Sequence, residues 1–328
     1  MLSKLALIAV SLLTLVGCGA PSLLITPVSR RDGLEEITVQ RGEGSGWRGS
    51  AAKIAIIPID GLIMNARTSG LISEGDNKLS IISQQLGRAA DDSNVKAIVL
   101  RINSPGGTVT GSDNVYQLVK RFRAKTGKPV VASIQEVGAS GGYYVALASD
   151  QIVACPTSVV GSIGVIFNTM SFEGSLAKLG ITTDAIKSAK NKDIGSPLRA
   201  MTGEERALLQ ETVDEYFAKF KTLTVTTRKL SDESKIAMAT DGRVFSGDKA
   251  KEMGLIDTVG ILEDALDVAR ELANVKGAKA VMYRQPFGPG GSVYAETSVP
   301  VPQMSTIHLP LPETAMSLPG GFYYMWRP

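Results

Sequence analysis

Apolar runs of strand length alternate with segments of helical periodicity through the middle of this chain of 328 residues. Residues 54–59 are apolar enough for a strand buried on both faces, and residues 79–90 follow with apolar side chains at helical spacing. The alternation continues with a strand over residues 95–102, a helix over 115–122 and a strand over 130–134. This alternation predicts βαβ units, and therefore an α/β fold with a mostly parallel sheet flanked by helices.

Further elements are predicted towards the C-terminus. Residues 151–154, 163–167 and 181–186 have the pattern of short strands, and residues 261–272 fit a helix. Thr202-Gly-Glu-Glu205 is a capping box, so a long helix is expected to begin there. Its apolar stripe consists of Leu209, Val213, Phe217 and Phe220.

The chain has a single histidine, His308, which lies in a proline-rich region near the C-terminus. A Ser-His-Asp triad, a Cys-His pair and a typical zinc site each need a histidine in a structured place, so the sequence argues against all three. Two cysteines are too few for a disulfide framework. The 35 basic and 32 acidic residues nearly balance, which gives no electrostatic case for nucleic acid as a partner.

The N-terminus has the features of a targeting segment. Lys4 supplies a positive charge, and residues 5–17 form an uncharged run that is shorter than the roughly 20 residues of a membrane-spanning helix. The run ends in Leu15-Val16-Gly17-Cys18, which resembles the bacterial lipobox, so Cys18 is the expected site of lipid attachment. The alternative is an ordinary secretory signal with an incidental cysteine. Either signal takes the chain out of the cytoplasm, and the lipid would anchor it on the periplasmic side of a bacterial membrane, inner or outer.

Four regions follow from these patterns. Residues 1–17 are the predicted lipoprotein signal peptide, 18–50 a tether with a Gly/Ser-rich stretch, 51–285 the folded domain and 286–328 a proline-rich tail. The tail holds eight of the fifteen prolines, a density that disfavours helices and central strands. It ends in an apolar aromatic stretch, and we expect it to pack along the surface of its own or a neighbouring copy.

Two glycine-bearing loops follow predicted strands. Residues 101–107 end in Ser-Pro-Gly-Gly, and consecutive glycines let backbone N–H groups face a ligand, which suits an oxyanion hole. Residues 138–144 place Ser140 before an apolar helical run, whose dipole favours developing negative charge. Tyr143 and Tyr144 are expected to pack on that helix or to line a substrate pocket. Such loops also bind phosphates or merely turn, although neither matches a P-loop or a complete dinucleotide fingerprint.

A serine nucleophile needs a base, and no histidine is placed to serve. Lysine is the remaining candidate if burial depresses its pKa from about 10.4 towards neutrality. Lys187, Lys190 and Lys192 lie together after the predicted strand over residues 181–186. The local pattern does not choose among them, and each also fits a solvated surface lysine.

Six motifs, taken in order, resemble those of the signal peptide peptidase A family, and they span residues 53 to about 283. The motifs are Ser104-Pro-Gly-Gly107, Gly138-Ala-Ser-Gly-Gly-Tyr-Tyr144, Val160-Gly-Ser-Ile-Gly-Val165, Lys192-Asp193 with Ser196-Pro-Leu-Arg199, Met201-Thr-Gly-Glu-Glu205, and Asp241-Gly-Arg-Val-Phe-Ser-Gly247 with Gly254-Leu-Ile-Asp257. The resemblance implies the fold of Clp protease and crotonase, a twisted sheet flanked by helices.

The resemblance also implies roles for five residues. Ser140 would be the nucleophile and Lys192 the general base, while Ser162 would orient the lysine amine. The N–H groups of Gly107 and Gly141 would form the oxyanion hole. Such a serine protease needs neither a metal nor a cofactor, and a small or apolar residue is expected before the cleaved bond.

Short members of the family place the serine and the lysine of one site on neighbouring subunits. The resemblance therefore implies a homo-oligomeric ring, an octamer, that acts on signal peptides or other exported polypeptides. The lipobox departs from the family, whose members are usually held by a transmembrane helix. Two alternatives remain open from the sequence: a crotonase-like enzyme that binds acyl-coenzyme A, and a catalytically silent scaffold whose tail docks a partner or blocks the site.

Overall fold

The apolar strands predicted from the sequence assemble into one large sheet with helices on both faces. The structure, a computed structural model, describes residues 34–41, 52–69, 74–284 and 321–326. The strands are β1 (Glu35–Gln40), β2 (Lys53–Asp60), β3 (Arg67–Ser69), β4 (Glu74–Asn77), β5 (Val95–Ser104), β6 (Gly106–Thr108), β7 (Val130–Ala139), β8 (Gln151–Ala154), β9 (Val159–Gly161), β10 (Ile166–Phe167), β11 (Val244–Phe245), β12 (Thr258–Val259), β13 (Lys279–Arg284) and β14 (Phe322–Met325).

Eight helices occur in the described part of the chain, and their lengths vary from one and a half turns to seven. They are α1 (Lys78–Asp91), α2 (Val109–Thr126), α3 (Gly141–Ala146), α4 (Glu173–Lys178), α5 (Gly203–Arg228), α6 (Glu233–Ala239), α7 (Gly247–Glu252) and α8 (Leu262–Leu272). The capping box predicted for the long helix α5 is confirmed, since the Thr202 and Glu205 side chains each accept from the other residue's backbone N–H.

The main sheet has the strand order β1-β13-β2-β5-β7-β8-β12, and β9 and β11 extend it from β7. The pairs from β13 to β12 along this order are parallel, whereas β1 pairs with β13 in the antiparallel sense. The first half of β7 pairs with β8 and its second half with β9, both parallel. The carboxyl end of β7 therefore lies where the sheet divides, and the loop that carries Ser140 leaves from this point.

Alternate residues of the central strands face the two helical layers. In β2, Ile54 and Ile56 pack in a core cluster with Leu262 and Leu266 of α8. The alternate β2 residues Ala55, Ile57 and Ile59 belong to the larger cluster on the opposite face, which contains the buried sides of α1, α2 and α3. Burial on both faces explains why the central strands read as unbroken apolar runs. The predicted α/β fold with a mostly parallel sheet is confirmed.

Most of the predicted elements occur at or near their expected positions, and two differ. Residues 181–186 form no strand; they are irregular and exposed, because no strand of the described chain lies beside them to complete a ladder. Within residues 163–167 only Ile166 and Phe167 are in a strand.

Two regions expected to lie outside the folded domain contribute strands to it. Within the region interpreted as a tether, residues 35–40 form β1, and alternation places Ile37 and Val39 against the α8 side of the core. Within the region interpreted as a tail, Phe322–Met325 forms β14, the central strand of a small sheet with the order β10-β14-β6. The tail forms this strand beyond Pro319, where residues 320–327 contain no proline and each carries the backbone N–H group that a strand needs. The signal peptide, the Gly/Ser-rich stretch and residues 285–320 lie outside the described residues.

Candidate active site

Ser140 lies in a strained turn between β7 and α3. Its φ of 51° and ψ of −114° are unfavourable for a residue with a side chain, and such strain persists where the surroundings enforce it. The Ser140 N–H donates to the Gly161 carbonyl at 2.7 Å, and the Ser140 carbonyl accepts from Tyr144 N–H at 2.8 Å. These two bonds hold the turn from both sides.

The Ser140 hydroxyl is buried, and no group in the described part of the chain pairs with it. The residue is 1% exposed, and its Oγ has no hydrogen-bond partner among the described residues. A buried hydroxyl without a partner costs free energy, and so it calls for an explanation. One explanation is that Ser140 exchanges its hydroxyl proton with a substrate or with a group brought from outside the chain.

Ser162 is brought next to Ser140 by the pairing of β7 with β9. Ala139 pairs with Gly161, so the residues that follow them, Ser140 and Ser162, leave the two strands side by side. Ser162 also has a positive φ of 50°, and its N–H donates to the Arg243 carbonyl at 2.7 Å. The two serines are therefore neighbours although 22 residues separate them in the sequence.

The two glycines expected in the oxyanion hole also lie close together. A Cβ placed on Gly141 would be 3.1 Å from the Gly107 nitrogen and 2.3 Å from the Ser112 Oγ. A Cβ placed on Gly107 would be 2.0 Å from the Ile63 carbonyl oxygen. A side chain on Gly107 would clash with backbone, and one on Gly141 would clash with the Ser112 hydroxyl. The close approach sets two backbone amides beside Ser140, an arrangement that suits stabilisation of an oxyanion.

Lys192 does not meet Ser140 within one chain. It is exposed, in the irregular segment between α4 and α5, and its side chain has no hydrogen bond or ion pair among the described residues. The neighbouring lysines differ, since Lys187 pairs with Asp193 at 2.6 Å and Lys190 pairs with Glu204. Of the three candidate bases, Lys192 is thus the one that no described carboxylate engages.

A cluster of charges fixes the segment that carries Lys192. Arg199 contacts Asp193 at 2.8 Å through Nε and also binds Glu205 at the start of α5. Arg199, together with Lys187, holds the pKa of Asp193 well below its usual range, and Arg199 lowers the pKa of Glu205 to about 2. Asp193, Arg199 and Glu205 lie in the motifs that carry the family resemblance, and the sequence predicts only the capping role of Glu205. The structure shows that these three residues tie the segment to the long helix.

The groove in front of the glycine amides is filled by the chain's own C-terminal strand. β14 lies between β6 and β10 and runs antiparallel to both. Tyr324 pairs with Gly107, and Tyr323 pairs with Ile166. No sequence pattern predicted this pairing, because an isolated apolar stretch does not specify its partner strands.

Comparison with known proteins agrees with this geometry. The model of peptidase family S49 matches residues 122–276, a range that contains Ser140, Ser162 and Lys192. A protein of Enterococcus faecium assigned as signal peptide peptidase SppA is 32% identical over 235 residues, which are 72% of this chain and 68% of that protein.

Two further relatives share the name protease. Protease 4 of Salmonella typhi is 36% identical over 223 residues, which are 68% of this chain but only 35% of that protein. A protease homologue of Methanocaldococcus jannaschii is 43% identical over 192 residues, 58% of this chain and 61% of that protein. Together with the fold, these matches establish that the chain belongs to peptidase family S49 and, by class, is a serine protease.

Proposed function

We propose that this protein is a membrane-anchored Ser-Lys endopeptidase that cleaves signal peptides or other exported polypeptides. The observation that carries the proposal is the turn at Ser140, where a strained serine, whose hydroxyl no described residue pairs with, lies beside two closely packed glycine amides. Such an arrangement suits acyl transfer, because the amides can hold the negative charge that develops on the attacked carbonyl.

In the proposed reaction, neutral Lys192 takes the proton of the Ser140 hydroxyl, and Oγ attacks the carbonyl carbon of the scissile peptide. The N–H groups of Gly107 and Gly141 donate to the oxyanion. The carbon–nitrogen bond then breaks, and Lys192 gives its proton to the leaving amine. Water activated by the same lysine hydrolyses the ester on Ser140. Ser162, next to Ser140, would accept or donate a hydrogen bond that orients the lysine amine.

The serine and the lysine would meet between neighbouring copies of the chain in a ring, with eight copies as the family resemblance implies. Residues 168–200 support this arrangement, because this segment is almost entirely exposed on a single chain. It presents apolar side chains to solvent, among them Leu179 at 73% exposure and the fully exposed Ile186. Exposed apolar surface of this kind is typical of an interface. The charge cluster around Arg199 would fix the conformation of this segment for contact with the adjoining copy.

The anchor is proposed at Cys18, as a lipid on the periplasmic side of a bacterial membrane. In the part of the chain that the structure describes, no helix has the length and apolar character needed to cross a membrane. Mass spectrometry of the mature chain from bacterial membranes tests the proposal. The protein should begin at a lipid-modified Cys18, and Cys18→Ser should be released by washing. A mature chain with an unmodified cysteine would refute the anchor.

Complementation between inactive variants tests the shared site. Ser140→Ala and Lys192→Ala should each abolish hydrolysis of a denatured protein substrate. Co-expressed in equal amounts they should form mixed rings with about one quarter of the normal activity, because a site needs Ser140 from one subunit and Lys192 from a particular neighbour. The matched control is Ser140→Ala co-expressed with the double variant, which has no intact Ser140 and should stay inactive.

Each of the other outcomes contradicts one part of the proposal. No activity in the mixed rings, with both single variants inactive, would place serine and lysine on the same chain. Full activity of Lys192→Ala would remove the lysine from the mechanism. Activity that survives Ser140→Ala would remove the nucleophile. An inactive unmutated ring would favour a silent scaffold.

A further inference from the structure

The Arg199 guanidinium connects the segment that carries Lys192 to the first turn of α5 through two forked contacts. One fork faces Asp193, where Arg199 Nε lies 2.8 Å from Oδ2 and Nη2 lies 2.9 Å from Oδ1. The other fork faces Glu205, where Nη1 lies 2.9 Å from Oε2 and Nη2 contacts Oε1. Paired bonds of this kind fix the relative orientation of the planar groups as well as their separation.

The helix end of this connection is held independently of Arg199. The Glu205 side chain is only 5% exposed, and its Oε2 also accepts from the Thr202 N–H at 2.9 Å, as part of the capping box. Further along α5, Phe220 and Thr224 are buried and so anchor the helix in the fold. The Glu205 carboxylate is therefore fixed relative to the body of the chain.

The other end of the connection lies one residue from the proposed base. Asp193 directly follows Lys192, and Arg199 Nη2 also donates to the Asp193 main-chain carbonyl at 3.2 Å. Lys187 adds a contact of 2.6 Å from its Nζ to Asp193 Oδ1. Both the side chain and the main chain of Asp193 are thus held, while the side chain of Lys192 is exposed.

The turns around Lys192 are weakly held by their own main chain. Residues 190–195 form consecutive turns between α4 and α5 rather than a helix or strand. Their internal bonds include Lys192 N–H to the Ala189 carbonyl at 3.2 Å and Ile194 N–H to the Asn191 carbonyl at 3.3 Å, both longer than an ordinary hydrogen bond of this type. The Arg199 forks therefore supply the firm attachment of these turns to the fold.

We propose that Arg199 is a positioning residue for the proposed reaction. By holding Asp193 against Glu205, it fixes the turn from which Lys192 extends, so that the lysine amine meets Ser140 of a neighbouring copy in one geometry. A general base must lie within about 3 Å of the proton that it takes, which makes its position decisive. The inference rests on the proposed function, and it assigns Arg199 to the lysine side of the shared site.

A displaced base should lower the rate of the chemical step and leave substrate binding unchanged. A misplacement of about 1 Å can cost about 100-fold in rate, so Arg199→Ala should lower kcat by about that factor with KM unchanged. Arg199→Lys keeps the positive charge, but a single ammonium cannot form both forks, and it should lose about tenfold in kcat. Glu204→Gln is the matched control, because this exposed residue precedes Glu205 and pairs only with the exposed Lys190; its kcat should be normal.

The first assay measures kcat and KM of the purified full chain in detergent, on a denatured protein substrate. Size-exclusion chromatography establishes that each variant still forms the ring. Normal kcat in Arg199→Ala, with Lys192→Ala inactive, would overturn the positioning role and leave the peptidase intact. Failure of both Arg199→Ala and Arg199→Lys to assemble would also overturn it, because Arg199 would then serve the ring rather than the base.

The second assay determines which side of the shared site Arg199 serves. Arg199→Ala co-expressed with Ser140→Ala should give about one quarter of the normal activity, since some sites combine an intact Ser140 with a correctly held Lys192. Arg199→Ala co-expressed with Lys192→Ala should stay below about 1%, because no chain then carries both an intact Arg199 and Lys192. If Arg199→Ala does not assemble, Arg199→Lys enters the same two pairings, with the same order of activities.

The pairings also separate this inference from the proposed function. About one quarter of the activity in the pairing with Lys192→Ala would place Arg199 on the serine side and overturn the proposal. Equal loss in both pairings, while Ser140→Ala and Lys192→Ala still complement each other, would show a general structural role and overturn it as well. If Ser140→Ala and Lys192→Ala do not complement each other, the shared site of the proposed function fails, and the inference fails with it.

Discussion

Gly141→Ala is the substitution whose effect the structure predicts most directly. The added Cβ would lie 2.3 Å from the Ser112 Oγ, about 1 Å inside an ordinary contact. Ser112 is fully buried, so its hydroxyl has little room to move away. The Gly141 amide must therefore shift, and a misplacement of about 1 Å in an active site can cost about 100-fold in rate. We expect kcat of the peptidase to fall by about that factor.

Ser112→Ala provides the matched control for this reasoning. Within the described residues the Ser112 Oγ has no hydrogen-bond partner, so its removal alone should leave both activity and stability nearly unchanged. The Gly141→Ala, Ser112→Ala double variant lacks the Ser112 hydroxyl that the new Cβ would meet. The next contacts of this Cβ, at 3.1 Å from Gly106 Cα and Gly107 N, are relieved by a shift of only a few tenths of an ångström. Most of the lost rate should return.

The assay is steady-state hydrolysis of a denatured protein substrate by the full chain in detergent, with circular dichroism to check the fold. Normal kcat in Gly141→Ala would refute the role of the Gly141 amide. A loss that Ser112→Ala does not relieve would refute the steric explanation, because the clash would then not be its cause.

Three further predictions follow from other parts of the structure. Gly107→Ala should lower peptidase activity by at least about 100-fold, because the new Cβ would lie 2.0 Å from the backbone oxygen of Ile63. Since the obstacle is backbone, no substitution of a neighbouring side chain should restore the activity, and such a restoration would contradict the prediction. Glu205→Gln should melt at a lower temperature than the unmutated chain at pH 7. Arg199 lowers the Glu205 pKa to about 2 from an ordinary 4.5, so the stabilisation that the carboxylate contributes is complete above pH 4.5 and is lost towards pH 2. Calorimetry from pH 7 to pH 2 should therefore show that the difference in melting temperature between the two chains vanishes on the acid side. A difference that stays constant with pH would exclude the ion pair as its cause. Thr202→Ala removes the N-terminal cap of α5 and should lower the free energy of unfolding, measured by denaturant titration, by about 1 kcal/mol. An unchanged unfolding midpoint would show that the cap does not stabilise the fold.

The elements that the sequence predicts well are those specified by local pattern. The apolar runs of β2, β5 and β7 and the helical periodicity of α1, α2 and α8 each depend on residues near one another in the chain. The capping box at Thr202 is equally local. β1 was missed although Ile37 and Val39 alternate in the manner of an edge strand, so this signal was available.

The strand expected over residues 181–186 shows the limit of local pattern. A strand forms only where another strand completes its hydrogen bonds, and none lies beside this segment in the described chain. The opposite case is β14, where a short aromatic stretch after a proline-rich region pairs on both sides. Pattern alone could not distinguish the two segments.

By itself, the sequence determined the α/β class and the two glycine-bearing loops, because each depends on short-range spacing of residue types. The role of Ser140 as candidate nucleophile came from the resemblance of the motifs to a known family. Only the tertiary structure decided what surrounds that serine. Pairing of β7 with β9 sets Ser162 beside it, and close packing of Gly107 against Gly141 brings two amides together. Pairing of β14 with β6 packs Tyr324 against Tyr144 and Phe220. These contacts join residues 22 to 217 positions apart, and such contacts depend on hydrogen bonding and burial across the whole fold rather than on any local propensity.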